Sequence, residues 1–193
     1  MAITNRLAWV DVETSGLYPE KGARVVEIGL IITNDTAREY KELERFHTLI
    51  RLEPEFKKIA SAAALKINGY GDDEGQEWAT APYPNAAIWK EVVRLTQDCT
   101  MVAQNWPFDQ KFIESELARF NLKPKWTRRF IDVMSFSWMV TRRFGIDSFS
   151  LENAYNALGK GDIQPHRSMT DIQRCIEVVK HIDEYYPIRA VAA

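Results

Sequence analysis

The sequence predicts an α/β fold: a central mixed sheet of five strands, three antiparallel and then parallel ones, flanked by helices on both faces. Two observations predict it. Three strand-like runs crowd the first fifty or so residues and are joined by short connections, as in an antiparallel meander. Beyond them helical and strand-like segments alternate, the pattern of parallel strands with crossover helices. A third observation sets the count of units. The 193 residues hold no internal repeat and no linker-like stretch, so 1–193 reads as a single domain.

The elements follow in order. Residues 6–12 are a nearly continuous apolar run, a buried strand, and a turn follows from Ser15-Gly16 to Pro19-Glu20. A second apolar strand runs from Val25 to Thr33, Asn34-Asp35 supply turn chemistry, and 39–51 form the third strand. Helical spacing covers Glu55 to Leu65, and the Gly-, Pro- and acid-rich stretch from Asn68 to Asn85 reads as a long loop. Asn85 caps a helix reaching Leu95. Then come a strand at 100–103, a helix at 108–120, a strand at 130–133, helices at 135–144 and 149–158, and a last helix at 168–186.

Composition narrows the function. Apolar residues make up 46% and charged residues 27%, with nine Gly and eight Pro, which is globular and not disordered. No apolar run reaches the roughly 20 residues that span a bilayer. Met1 to Arg6 lack a basic stretch followed by an apolar one, so the expectation is a cytoplasmic protein without a membrane partner. Cys99 and Cys175 form no CxxC pair, which predicts reduced thiols and no zinc site. A net charge of −2 carries no general polyanion signature. Within 111–143, however, eight basic residues (Lys111, Arg119, Lys123, Lys125, Arg128, Arg129, Arg142, Arg143) stand against Glu114, Glu116 and Asp132. That stretch is either a footprint for a polyanion or a solvated helix end and loop.

Three groups of acids do not suit a core. Asp11 and Glu13 close the first strand, and a period of two puts both on one face. Adjacent buried acids repel, and a divalent cation with oxygen ligands is the natural compensation; exposure at the strand end is the alternative. Asp109 follows a strand and opens a helix, where open sheets place ligands and where a helix dipole also favours acid. Asp171 falls in the first turn of the last helix, with Ser168 in a capping-box spacing, and His166 precedes it in a loop.

Taken together and in this order, Asp11-x-Glu13, Asn105-x-x-Phe108-Asp109 and His166-x-x-x-x-Asp171 resemble the three motifs of the DEDDh 3′–5′ exonuclease superfamily. That superfamily includes proofreading epsilon subunits, ribonuclease T and oligoribonuclease. The resemblance runs from residue 7 to about 180. Val25-Val26-Glu27-Ile28-Gly29 looks like the family's second strand, and Ile67-Asn68-Gly69 like its frequent Ile-His-Gly. The second motif departs from the family's usual His-Asn, having Gln104-Asn105.

The resemblance implies a ribonuclease H-like fold. It also implies hydrolysis of phosphodiester bonds at the 3′ end of single-stranded nucleic acid, DNA before RNA, releasing nucleoside 5′-monophosphates. Asp11, Glu13, Asp109 and Asp171 would hold two divalent ions, Mg²⁺ or Mn²⁺, and His166 would act as general base. A sister branch uses Tyr for the base, and none stands between Gln164 and Asp171. Thr14, Ser15, Gly16 and Leu17 would contact the terminal nucleotide, with Leu17 against the base. Asn105, Trp106 and Phe108 would line the cleft, Trp106 being the better stacking candidate and Phe108 the better core residue. The expected partners are single-stranded DNA or RNA 3′ ends, with a homodimer or a place in a replication or repair complex left open. An oligoribonuclease-like enzyme for short RNA is the alternative. A catalytically silent nucleic-acid-binding module should have lost an acid or the His, and all five are present.

Overall fold

Ten residues, Asn5–Thr14, form β1, the central strand of the sheet. The computed structural model describes residues 5–36, 39–71, 77–161 and 166–185. β2 (Val25–Thr36) runs antiparallel to β1, and β3 (Glu39–Leu49) antiparallel to β2. On its other side β1 pairs in parallel with β4 (Thr100–Ala103), which pairs in parallel with β5 (Phe130–Asp132). The order is β3-β2-β1-β4-β5, a mixed five-stranded sheet.

Helices α1 (Pro54–Lys57), α2 (Ala62–Ile67), α3 (Ala86–Thr96) and α4 (Trp106–Arg119) occupy the chain between β3 and β5. Then follow α5 (Val133–Arg143), α6 (Leu151–Ala157) and α7 (Ser168–Tyr185). Several starts are fixed by side-chain caps. Asn85 accepts from the amides of Ala87 and Ile88, Asp132 from Met134, and Ser150 from Asn153.

Alternation along the strands divides the core in two. Ala8, Val10 and Val12 of β1, with Ile28, Leu30 and Ile32 of β2, pack under α3 and α4 around Trp89, Phe112 and Leu117. Leu7 and Trp9 of β1 and Ile31 of β2 pack on the other face against α5, α6 and α7 through Val140, Leu151, Ile172 and Val178. Each such buried side chain contributes roughly 1.5–3 kcal/mol. Cys99 and Cys175 are free and buried within these layers. Among the described residues no helix is long and apolar enough to cross a membrane.

Two local expectations change. Asn34 and Asp35 do not turn: they pair with Arg6 and Asn5 of β1 and with Lys41 and Tyr40 of β3, because ladder bonds on both sides outweigh local turn preference. The helix expected over 55–65 is broken into α1 and α2. Its midpoint is drawn out by a tertiary bond, the Ser61 amide donating to the Ser15 carbonyl at 2.8 Å, while the Ser61 hydroxyl caps α2. In the expected loop from Asn68 to Asn85, Trp78 is buried in a short 3₁₀ turn and donates to the Val26 carbonyl at 2.9 Å. Residues 72–76 of that stretch, and Gln164 and Pro165 before His166, lie outside the described residues.

Candidate active site

The same alternation that buries Leu7 and Trp9 carries Asp11 and Glu13 onto the α7 face of β1. Val12, between them, points to the opposite layer, and its amide donates to Asp109 Oδ1 at 3.0 Å. Asp109 reaches β1 because β4 and α4 are joined by a tight turn in which Asn105 takes φ +65°, a left-handed conformation that Asn tolerates. The Asn105 amide is fixed by Asp132 Oδ1 at 2.9 Å.

From the other direction α7 brings Asp171. Its Oδ2 accepts the His166 amide at 3.1 Å and its Oδ1 pairs with Arg174 at 3.1 Å. His166, exposed and at φ +60°, stands beside these acids. Glu13, His166 and Asp171 each offer one ligand atom, and the three atoms lie within 4.8 Å of one another. Asp11 and Glu13 keep part of their surface open to this cleft, whereas Asp109 is buried.

Electrostatics shows how ill-suited these acids are to one another. Burial, then repulsion from Asp109, Asp171, Glu13 and Glu27, raises the Asp11 carboxyl well above the usual carboxylate range. Glu13 is pushed up to about 8, first by burial and then by Asp171, Glu27 and Asp109. Asp109 and Asp171 are raised by burial too, against the opposing Val12 amide and Arg174 respectively. Four carboxylates destabilised as anions, partly open to solvent and with one imidazole beside them, fit a divalent cation such as Mg²⁺ or Mn²⁺.

The expected substrate contacts fare unevenly. Leu17 is 62% exposed, and its carbonyl accepts from Lys111 Nζ at 2.8 Å. Thr14 and Ser15 are buried. The Thr14 hydroxyl donates to the Gly16 carbonyl, and Ser15 exchanges bonds with Arg24 through both its amide and its hydroxyl, so Ser15 staples the turn. Gly16 is not at positive φ; a Cβ there would lie 3.3 Å from Ala23 Cβ, so close approach is what constrains it. Trp106 does not line the cleft. It is 2% exposed and packs edge-on against Trp126, ring centroids 5.6 Å apart, beneath α4. Phe108, half-buried, packs against the core beside Phe112, ring centroids 5.0 Å apart, with Lys111 Nζ 4.8 Å from its own ring centroid.

Two further residues shape the site. Glu27 is 1% exposed, on the same face of β2 that packs α7. It accepts from the Ser168 amide and hydroxyl at 3.1 and 2.8 Å and from Arg167 Nε at 3.0 Å, and pairs with His47 Nε2 at 3.0 Å. These bonds fix the residues directly after His166. Its sequence signal is an acid inside an otherwise apolar strand. Asn68, 3% exposed, donates to the Thr14 carbonyl at 3.1 Å and so ties the end of β1 to the segment after α2. Of the basic stretch, Arg119 is held by Glu53 and Glu116, and Lys125 to Arg129 lie on the segment that leads into β5 from the end opposite the acids.

A family model described as an exonuclease, of the RNase T type, matches residues 8–179. The DNA polymerase III subunit epsilon of Rickettsia typhi is 28% identical over 174 residues, which is 88% of this chain and 70% of that protein. The PolC-type DNA polymerase III of Thermotoga maritima is 24% identical over 180 residues, 90% of this chain. This chain spans 12% of the polymerase's length. Among solved structures, E. coli exonuclease I in complex with a dT13 oligonucleotide superposes with a TM-score of 0.75 at 19% identity. The match covers 93% of this chain and 41% of that one, a likeness of fold.

Proposed function

The chain belongs to the exonuclease family whose model it matches, within the DEDDh 3′–5′ exonuclease superfamily, and from that premise we propose that it removes nucleotides from the 3′ end of single-stranded nucleic acid. The substrate is DNA before RNA, in keeping with the DNA polymerase relatives, and the products are nucleoside 5′-monophosphates. The observation that carries this reading is the convergence of Asp11, Glu13, Asp109 and Asp171, with His166 beside them, on one cleft at the C-terminal end of the central strand β1.

The four acids would hold two divalent ions, Mg²⁺ or Mn²⁺, which when bound stabilise the charge on the attacking and leaving oxygens. His166 accepts the proton of the attacking water; its loop position leaves the imidazole free to meet solvent. Arg174 and the His166 amide hold Asp171 in place, and the Val12 amide holds Asp109. Leu17, at the open rim, packs against the terminal base, and Phe108 beside Lys111 takes the lining role expected of Trp106. A subunit role in a replication complex is compatible with the epsilon relative.

The test is a cleavage assay on 5′-labelled single strands of DNA and RNA, in EDTA, Mg²⁺ and Mn²⁺. The expected result is stepwise shortening from the 3′ end, mononucleotide products, dependence on the cation, and faster loss of DNA. Internal cuts, shortening from the other end, or equal rates in EDTA would overturn the reading.

A further inference from the structure

α5 leaves the edge strand β5 at the same end of the parallel strands as the acids, and part of its surface is apolar and open. Trp138 is 46% exposed, Met139 36%, and Phe149, on the segment after α5, 49%. With Asp132, Met134 and Ser135 these three line a cleft of about 540 Å³. Trp138 and Phe149 continue into an adjoining hollow of about 420 Å³ that also touches Arg142 and Asp147. The positions 134, 135, 138, 139 and 142 fall on one face of the helix.

This surface touches the candidate active site through one residue, Asp132. Asp132, which walls the cleft, accepts the Asn105 amide at 2.9 Å and adds to the repulsion that raises Asp109. The surface also carries one cation, Arg142, with Asp132 and Asp147 as the acids of its lining. The Arg142 guanidinium lies 5.0 Å from the centroid of the Trp138 ring and, among the described residues, has no acid partner. Asp132 turns Oδ1 toward two backbone amides, which leaves exposed Asp147 as the opposing acid in the hollow.

We propose that this cleft is a binding subsite for single-stranded nucleic acid: it takes the nucleotides 5′ to the terminal one, with Trp138 and Phe149 stacking on bases and Arg142 meeting a phosphate. Open aromatic faces interleaved with a cation are what a strand without sequence preference needs, because every base has a stacking face. A volume of about 540 Å³ suits a nucleotide-sized occupant. A protein partner is the competing occupant; the cation over the open indole and the contact with the active-site turn through Asp132 favour a strand with phosphates. The inference rests on the exonuclease reading and adds the path of the strand.

The experiment measures affinity for oligothymidylates of two, four and twelve nucleotides in Ca²⁺, with turnover of the same strands in Mn²⁺. The proteins are the unaltered chain, Trp138→Ala, Trp138→Phe and Arg142→Ala. Trp138→Ala should bind the twelve-mer about fivefold or more weakly and the dinucleotide unchanged. Trp138→Phe should restore most of the loss, and Arg142→Ala should flatten the salt dependence by about one phosphate contact. Unchanged twelve-mer affinity in Trp138→Ala overturns the subsite. So does an equal loss on dinucleotide and twelve-mer, which would place Trp138 at the terminal nucleotide. Loss of self-association in the ultracentrifuge, with strand binding intact, overturns it in favour of a protein contact. If the unaltered chain releases no nucleotide from any strand, the exonuclease reading falls, and the affinities still decide the subsite.

Discussion

Asp11 is where function and stability conflict most directly. Its carboxylate is partly buried beside three other acids of the cleft and Glu27, so ionisation in the cation-free protein is opposed by burial and by like charge. Asp11→Asn should therefore lower nucleotide release by about 10²–10³-fold or more, because a ligand that stabilises developing charge is lost. It should also raise the thermal midpoint in EDTA at pH 8, because one repelled charge is gone; a lower midpoint would show that Asp11 is structural. His166→Ala should cost about 10²–10⁴-fold in kcat if the imidazole is the base. Calorimetry should then show cation binding retained, whereas lost binding heat would make His166 a ligand of the Glu13–Asp171 group. In the sequence each of these acids also suits a strand end, a helix dipole or a cap, and it is their order together with His166 that resembles the family's three motifs. The burial of Trp106 was not legible. The expected helix began at 108, whereas α4 begins at 106. That start puts Trp106 on the stripe of Asp109, Ile113 and Glu116, which faces inward, and leaves Phe108 half-buried off that stripe.

At the scale of elements, the junction of β2 and α7 decides where His166 and Asp171 stand. Gly29 lets α7 approach: a Cβ there would lie 2.8 Å from Ser168 Oγ and 3.0 Å from Ile172 Cδ1. Glu27 then accepts the first amide of α7, which a helix N-terminus otherwise leaves unpaired. Glu27→Gln keeps the shape but removes acceptor capacity shared by Arg167, Ser168 and His47. It should lower kcat about 10- to 100-fold, the range for residues that orient metal ligands, with little change in affinity for a long strand. Gly29→Ala should do the same by pushing α7 outward, and far-ultraviolet circular dichroism should show the helix content kept. Full activity in both variants would mean the loop needs no such support. Sequence reading could name this strand from its apolar run, but not its partner, because the contact joins residues 141 apart in the chain. The break between α1 and α2 was hidden for the same reason: its cause is a bond from Ser61 to Ser15 in another part of the fold.

For the molecule as a whole, the cleft acids make stability depend on pH in a direction that a bound cation reverses. Glu13 is raised from its ordinary value of 4.5 to about 8, so the folded chain holds a proton there that the unfolded chain has already released. The stability linked to that proton is full below about pH 4.5 and is lost as pH rises toward about 8. Asp11, Asp109 and Asp171, raised for the same cause of burial, act with the same sign. Glu27 acts with the opposite sign. The bonds from His47 and Ser168 and the charge of Arg167 hold it below its ordinary value despite burial, so its contribution is present above that value and lost on acidification below it. In EDTA the thermal midpoint should therefore peak in mild acid, falling on acidification below the ordinary value of 4.5 as Glu27 and its partners separate and falling again toward about pH 8 as the cleft acids ionise. Saturating Mn²⁺ should abolish the alkaline fall, since the cation binds the ionised acids of the folded chain and adds stability by mass action. It should leave the acid limb in place, because Glu27 faces Arg167 and Ser168 and not the open cleft. Thermal unfolding followed by circular dichroism from about pH 2.5 to 9, with and without Mn²⁺, measures both limbs. A midpoint that stays flat from pH 5 to 8 in EDTA would mean that the carboxyl groups do not repel one another in solution, and the cation-binding reading would lose its physical basis.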